Sequence, residues 1–423
     1  MPDEGLCARP AAGKLLLSDP FPGTERNKLC MAQKVSARVA AALRRAWQPA
    51  QQPRTRALRC RRGGAAEPDA ESSRPRACSA CLQVPLGVIL CIPPFNYPIN
   101  LAVSKLAPAL IAGNAVVIKP PTQGCVSALH MLHCFHKAGL PAGLINAVTG
   151  NVSTFGDHLT MHPGANCISF TGGDIGLDVS KKAGMVPLQM ELGGKDACIV
   201  LADADMALAA TSIIKGGFSY SGQRCTAVKL VLAHESVADA LVATVAAAVS
   251  KLKVGQPEDD ADITAVVSSR SADFIQGLVE DALARGARAL QPWRREGNLI
   301  WPMLIDGVTE DMRLAWEEPF GPVLPVMRVA SAEAAVALVN RSRFGLQGCV
   351  FTRDMNAALS IADAMRTGTV QINAPPARGP DHFPFQGVKD SGIGSQGITN
   401  SISLMTKVKT VVLNLPAPSY AVA

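Results

Sequence analysis

The stretch VPLGVILCIPPFNYPINLAVSKLAPALIAGNAVVIKPPT at residues 84–122 decides the fold. Val88–Ile92 and Ala115–Lys119 are short apolar runs rich in β-branched residues, and each reads as a buried strand. Residues 100–112 between them carry helical spacing. Strand, helix and strand at this separation form a βαβ unit with its two strands parallel in one sheet. The pattern then repeats. Leu144–Val148 and Cys167–Thr171 read as further strands, with helices over about 122–138 and 152–162. After Gly193 it resumes, with strands at Ala197–Leu201 and Ala227–Ala233 and helices from Asp205 and over Glu235–Leu252. The prediction is an α/β protein of two domains in series, which 423 residues also favour. Lys407–Leu415 is a lone long strand ending at Pro416, and it is expected to pair outside these sheets, with another subunit as one option.

Composition narrows the class. At 48% hydrophobic and 18% charged, the chain is globular, and its 4% aromatic content makes the core aliphatic. The formal charge of +7 hints at an anionic partner until it is located. Residues 36–83 hold ten arginines against Glu67, Asp69 and Glu71, so the rest of the chain is neutral. That segment has no sustained apolar period and reads as a disordered basic stretch. With only Trp47 as an interleaved aromatic, it does not read as a nucleic-acid site. No apolar run reaches the roughly 18 residues of a membrane span, and the start lacks a signal-peptide pattern. Twelve scattered cysteines without such a leader point to a reducing, cytoplasmic setting.

Several motifs fail their context tests. Gly392-Ile-Gly-Ser-Gln-Gly397 fits a dinucleotide pattern but follows no strand. Cys78 and Cys81 form a CxxC with no second pair. His130, His133 and His136 share a helix face without a convergent carboxylate, and between His158 and His162 a leucine holds the zincin glutamate position. No metal site is expected.

Four segments resist explanation as packing. Asn96 sits in PPFNYP at the carboxyl end of a strand, where a polar amide can face a ligand. Lys119 and Thr122 flank two prolines just past the next strand. Glu191 ends an apolar strand before a glycine pair. Cys225 lies in YSGQRCT, beside Arg224, the one cysteine whose setting suits a stabilised thiolate. Together they provide a nucleophile, a carboxylate base, an amide donor and a phosphate-competent cation.

PPFNYP, IKPPT, FTGG, ELGGK, GQRCT, EEPFGP and FPFQGVKDSGIG, in this order, resemble the aldehyde dehydrogenase superfamily. More narrowly, the chain is similar to the non-phosphorylating, NADP-dependent glyceraldehyde-3-phosphate dehydrogenases of plants and algae. The likeness runs from Val84 to Ala423, and residues 13–35 resemble the segment that precedes PLGV in that family. The resemblance implies an aldehyde dehydrogenase-like fold: a Rossmann-type NADP domain over 84–193, an α/β catalytic domain over 194–400, and an oligomerisation arm from 13–35 and 401–423. Residues 36–83 would be an insertion, or a retained non-coding stretch in the gene model.

The resemblance also implies roles. Cys225 is the nucleophile, Glu191 the general base, and Asn96 an oxyanion donor with the Cys225 backbone N–H. Lys119, Thr122, Asp157, Thr171, Gly172, Glu318 and Phe320 hold NADP. Asn96, Tyr97, Arg224, Cys225, Thr226 and Arg378 meet a phosphorylated aldehyde, glyceraldehyde 3-phosphate, which becomes 3-phosphoglycerate without inorganic phosphate in a step of glycolysis. A homo-oligomer, dimer or tetramer, is expected. Departures remain. The stretch that the family carries before Gly13 is absent, with part of the cofactor domain and another arginine for the substrate phosphate. Val152 stands where relatives usually have glycine, a conflict if its φ is positive. The alternatives are an aldehyde dehydrogenase for another aldehyde, such as a semialdehyde, and a truncated fragment without turnover.

Overall fold

The computed structural model describes residues 76–415, and the side chains of 81–412. The proposed arm segment 13–35, and residues 36–75 of the basic stretch, lie outside the described residues. The strands are β1 (Arg76–Pro85), β2 (Val88–Ile92), β3 (Ala115–Ile118), β4 (Ile145–Ala147), β5 (Cys167–Thr171) and β6 (Leu188–Glu191). They continue with β7 (Ala197–Val200), β8 (Leu230–His234), β9 (Met303–Asp306), β10 (Val323–Val329), β11 (Gln347–Phe351), β12 (Thr369–Ile372) and β13 (Thr406–Leu415).

The first sheet orders its parallel strands β4-β3-β2-β5-β6, and Gly392–Ile393 runs antiparallel along the free edge of β6. The second orders β12-β11-β7-β8-β10-β9, all parallel, with Arg288–Ala289 antiparallel at the far edge. Alternation along a strand sends neighbours to opposite faces. Ala197 and Ile199 therefore pack in one core, while Cys198 and Val200 pack in another. Likewise Ile89 and Cys91 face one layer and Leu90 the other. Both faces are covered, so these strands read as continuous apolar runs.

Helices match their sequence signals: Asn100–Ile111, Cys125–Lys137 and Val152–Met161 in the first unit. In the second, Met206–Phe218 starts where the Asp205 carboxylate accepts from the Leu208 N–H, and Ser268 caps Ser269–Ala284. The strand expected at Ala227 begins instead at Leu230. Residues 227–229 are drawn off the ladder, with the Val228 N–H bonded to Gly216 O and the Lys229 N–H to Asp196 O.

Two boundaries are corrected. The basic stretch was expected to be disordered through Gln83, but its last residues belong to β1, which pairs antiparallel with all ten residues of β13. The lone C-terminal strand thus finds its partner in the same chain. Arginines before residue 75 dominate the segment's composition and mask the short strand-compatible run at its end. The catalytic domain was expected to extend to residue 400. Instead the chain returns to the first unit at Gly392, and Leu404 and Met405 join its core.

Asn114 ties this return. Its Nδ2 donates to the carbonyls of Ala109 (3.1 Å) and Met405 (2.9 Å), and its Oδ1 accepts from the Gly87 N–H (2.9 Å). The residue is fully buried. Asn114→Ala leaves the Gly87 N–H and the Met405 carbonyl unpaired, while Ala109 O keeps the backbone N–H of residue 114, and is expected to cost about 3 kcal/mol. Denaturant unfolding measures the loss, and hydrogen exchange at Gly87 and around Met405 locates it; unchanged stability would contradict the tie.

Candidate active site

The carboxyl ends of β2, β3 and β5 open onto a cavity of about 860 Å³. Asn96, Cys225 and Glu318 line one part of it, Lys119, Asp157 and Lys182 another, with Thr171, Gly172 and Phe320 in the wall.

Cys225 sits on a backbone with little freedom. Tyr220 and Ser221, both at φ 55°, and Gly222, at φ 71°, make a left-handed turn. A Cβ on Gly222 would stand 2.2 Å from the Gly321 carbonyl oxygen, so only glycine fits. The Ser221 hydroxyl accepts from the Thr264 N–H (2.9 Å), and Gln223 Oε1 accepts from the Val267 N–H (2.8 Å). The Lys229 ammonium donates to the Cys225 carbonyl. Asn96 Nδ2 donates to Gln223 O at 2.9 Å, which brings its amide beside the nucleophile's loop.

The thiol is not in the state its neighbours suggested. Burial pushes Cys225 up to about 12; Lys229 opposes this, while Glu191, Asp196 and Glu318 add to it. Arg224, expected to stabilise a thiolate, turns away. Its guanidinium donates to Ser219 Oγ (2.6 Å), Thr226 Oγ1 (3.3 Å) and Pro376 O (3.1 Å). Adjacency in sequence did not fix the direction of a long side chain.

Glu191, at the end of β6, is 4% exposed. Its Oε2 accepts from Thr171 Oγ1 (3.3 Å) and faces Arg378 Nη1 (3.4 Å), while Oε1 has no partner. Burial raises its pKa against the pull of Arg378 and Lys105. Lys105 was missed. It is fully buried, its Nζ donates to Thr171 Oγ1 (2.6 Å), and burial lowers its pKa to about 8. The available signal was a lysine among the buried positions Leu101, Ala102, Leu106 and Ala109 of one helix face.

At the other end, the Lys119 ammonium is buried and its pKa lowered. Thr122 is exposed and outside the cavity lining. Asp157 pairs with Lys182 at 2.7 Å, a second cation that the sequence reading missed. Val152 causes no strain: it opens the helix capped by Asn151 and is not among the positive-φ residues. Glu318 Oε1 is held by Lys229 (3.0 Å) and the Gly194 N–H (3.3 Å). Phe320, at φ 49°, meets Phe95 edge-on at 5.9 Å.

Tyr97, Arg224, Thr226 and Arg378 lie outside the large cavity's lining. Tyr97 packs against Tyr220 with the rings tilted by 44° and their centroids 4.8 Å apart, near Arg224. Arg378 lines a separate space of about 40 Å³ with Gln347, Phe383 and Phe385. Arg224 reaches the chain next to Arg378, since the carbonyl it binds is that of Pro376, two residues earlier. Among the described residues, no group of three or more His, Cys, Asp or Glu could hold a metal, and no helix is long and apolar enough to cross a membrane.

NADP fits these features. The cavity has a dinucleotide's scale, Gly173 leaves its wall open where a Cβ would meet nothing, and the ammonium-bearing Lys119 and Lys182 are in its lining with Cys225.

Comparison with known proteins agrees. The model of the aldehyde dehydrogenase family matches residues 34–411. An NADP-dependent glyceraldehyde-3-phosphate dehydrogenase of Pisum sativum is 63% identical over 408 residues, covering 96% of this chain and 72% of the relative. One from Scenedesmus vacuolatus is 72% identical over 233 residues, 55% of this chain and all of that protein. Among solved structures, the NADP-dependent glyceraldehyde-3-phosphate dehydrogenase of Bacillus halodurans C-125 complexed with NADP has a TM-score of 0.82 at 46% identity, covering 94% of this chain and 88% of that one.

A thiol pushed above neutrality is mostly protonated at pH 7, and its reactive thiolate grows as pH rises. Alkylation of Cys225 in the ligand-free protein is therefore expected to accelerate at least about tenfold between pH 7 and 9. Mass spectrometry of the Cys225 peptide separates it from the exposed Cys81. A rate flat across that interval would show a thiolate already formed.

Proposed function

Because the chain belongs to the aldehyde dehydrogenase family, we infer that its chemistry runs through a thioester on Cys225. The protein oxidises D-glyceraldehyde 3-phosphate to 3-phosphoglycerate with NADP and water, without inorganic phosphate. The observation that carries the assignment of roles is one cavity lined by Cys225, Asn96 and the ammonium groups of Lys119 and Lys182, with Glu191 behind its lining and near enough to raise the Cys225 pKa.

In the proposed sequence, the Cys225 thiol loses its proton to water in the cavity and its sulfur adds to the aldehyde carbon. The oxyanion so formed accepts from Asn96 Nδ2 and the Cys225 backbone N–H. NADP, when bound, supplies the acceptor for the hydride that leaves this carbon. Loss of that hydride leaves the acyl group on sulfur. Glu191 then takes a proton from water, the hydroxyl adds to the acyl carbon, and the carbon–sulfur bond breaks to release the acid and the thiolate. A raised pKa makes Glu191 a stronger base than an exposed glutamate, as this step requires.

Lys119 and Thr122 would hold the adenosine 2′-phosphate, with Lys182 beside them and Asp157 toward the adenosine. Thr171 and Gly172 would approach the pyrophosphate. Glu318 would accept from the nicotinamide ribose, with Phe320 packed alongside. Tyr97, Arg224, Thr226 and Arg378 would bind the substrate around its phosphate. The proposal extends to a homo-oligomer, dimer or tetramer, acting in the cytoplasm in glycolysis. Exposed Val408, Val411 and Val412 on β13 support pairing of subunits through the β1–β13 ribbon.

NADP reduction with glyceraldehyde 3-phosphate tests this. Cys225→Ser is expected to lower kcat by at least about 10³-fold. Glu191→Gln is expected to keep a first-turnover burst of NADPH while steady turnover falls about 10²- to 10⁴-fold. Loss of the burst in Glu191→Gln would move Glu191 to the earlier step.

A further inference from the structure

Arg378 does not stand free to await a phosphate. Its Nη1 lies 3.4 Å from Glu191 Oε2, its Nη2 donates to Gln396 Oε1, and its guanidinium lies over the Phe385 ring, 5.2 Å from the centroid. The separation from Glu191 is long for a charge-assisted bond, which closes to about 2.7–2.9 Å. Three of the buried polar atoms left without partners belong to side chains around this guanidinium. They are Glu191 Oε1, Gln396 Nε2 and, on the wall of the small cavity that Arg378 lines, Gln347 Oε1. Orphaned groups of this kind are costly and rare in a settled interior. Their gathering around one cation marks a cluster built for a second arrangement.

We propose that Arg378 is a phosphate-operated latch on the general base: it holds Glu191 until the phosphate of the bound aldehyde draws the guanidinium away. The inference rests on the reading of Arg378 as a ligand of the substrate phosphate, and extends it from binding to timing. A carboxylate paired with a guanidinium is a weaker base than one released from it. A phosphate dianion competes well for the arginine, because it carries more charge than a buried carboxylate and takes the planar guanidinium bidentately. Glu191 then keeps the Thr171 hydroxyl and, through it, Lys105 as its remaining polar neighbours. The hydrolytic step is thereby reserved for phosphorylated substrates. An aldehyde without phosphate can acylate Cys225, but meets a base still held by Arg378.

The test compares glyceraldehyde 3-phosphate with unphosphorylated D-glyceraldehyde, which presents the same reacting end. With D-glyceraldehyde and NADP, the full-length enzyme is expected to give an NADPH burst followed by slow turnover. Inorganic phosphite, supplied separately, is expected to accelerate that turnover about tenfold without enlarging the burst. In Arg378→Gln the KM for glyceraldehyde 3-phosphate is expected to rise about 10- to 100-fold, the worth of a charged hydrogen bond. Its turnover of D-glyceraldehyde is expected to exceed that of the wild type and to ignore phosphite. A wild type indifferent to phosphite overturns the latch without need of any variant. Slower D-glyceraldehyde turnover in Arg378→Gln, with a raised KM, overturns the latch and leaves the phosphate contact standing. An unchanged KM overturns both.

Discussion

Between β6 and β7 the chain passes from one sheet to the other through Leu192-Gly-Gly-Lys-Asp196, and in this passage there is no room for a side chain at Gly193 or Gly194. A Cβ on Gly193 would stand 2.1 Å from Glu318 Oε2. On Gly194 it would stand 2.5 Å from Asp196 Oδ1 and 3.3 Å from the Cys225 carbonyl oxygen. The constraint is therefore steric and acts on three chemical elements at once. Glu191 is set at the entrance of the crossing, Glu318 against its middle, and the nucleophile's backbone against its end. The Ser391 hydroxyl seals the turn by donating to Gly193 O (2.7 Å) while accepting from the Gly345 N–H (2.9 Å). A bulkier residue at either glycine would move Glu191 and Glu318 relative to Cys225. Displacements of an ångström are enough to lose catalysis.

Around this crossing the protein buries an unusual number of charges, and each is kept by a specific partner. Lys229 serves Glu318 and the Cys225 carbonyl together. Lys195 donates to Glu317 O (2.9 Å) and, by burial and the nearby Lys229, falls to about 7. Asp196 accepts from the Gln347 N–H (3.1 Å), and burial pushes it up to about 7. Ions taken from water without such partners would cost several kcal/mol each. The return is rigidity: charges fixed behind Cys225 set the field at its sulfur without the reorganisation that solvent would need. The raised pKa of the resting thiol comes first from its burial, and Glu191, Asp196 and Glu318 add to it against Lys229.

What could be read from residues alone divides along the range of the interactions. Val88–Ile92, Cys167–Thr171 and Ala197–Val200 were legible because strands covered on both faces are apolar throughout, a local property. Cys225 and Glu191 could be singled out from sequence, Cys225 in a polar, glycine-containing stretch and Glu191 at the end of an apolar strand before a glycine pair, and the structure places them near enough for Glu191 to act on the thiol. The pairing of Arg76–Pro85 with Thr406–Leu415 was not, since nothing in either segment encodes a register across more than three hundred residues. The return of Gly392 to the edge of β6 was hidden for the same reason. Lys105 looked like one polar residue in an apolar helix until Thr171 and Glu191 were seen above it. Arg224 misled through its position, because the hydroxyls of Ser219 and Thr226 claim its guanidinium.

The buried carboxylate also explains which nucleophile the thioester meets. Glu191 is 4% exposed, so its charge is felt at the reacting carbon through a medium that screens far less than water. A free phosphate dianion would have to attack the acyl carbon beside that charge, whereas the cation that could hold it is Arg378. Water is neutral and small, and it gains from a base within reach. A phosphate already joined to the substrate has its position set by the carbon chain, and its charge can be met at Arg378, which shares Glu191 Oε2 with the Thr171 hydroxyl. In the proposed sequence, a free acid as product follows from where the Glu191 carboxyl is buried. The overall charge of +7, concentrated in residues 36–83, has no part in it.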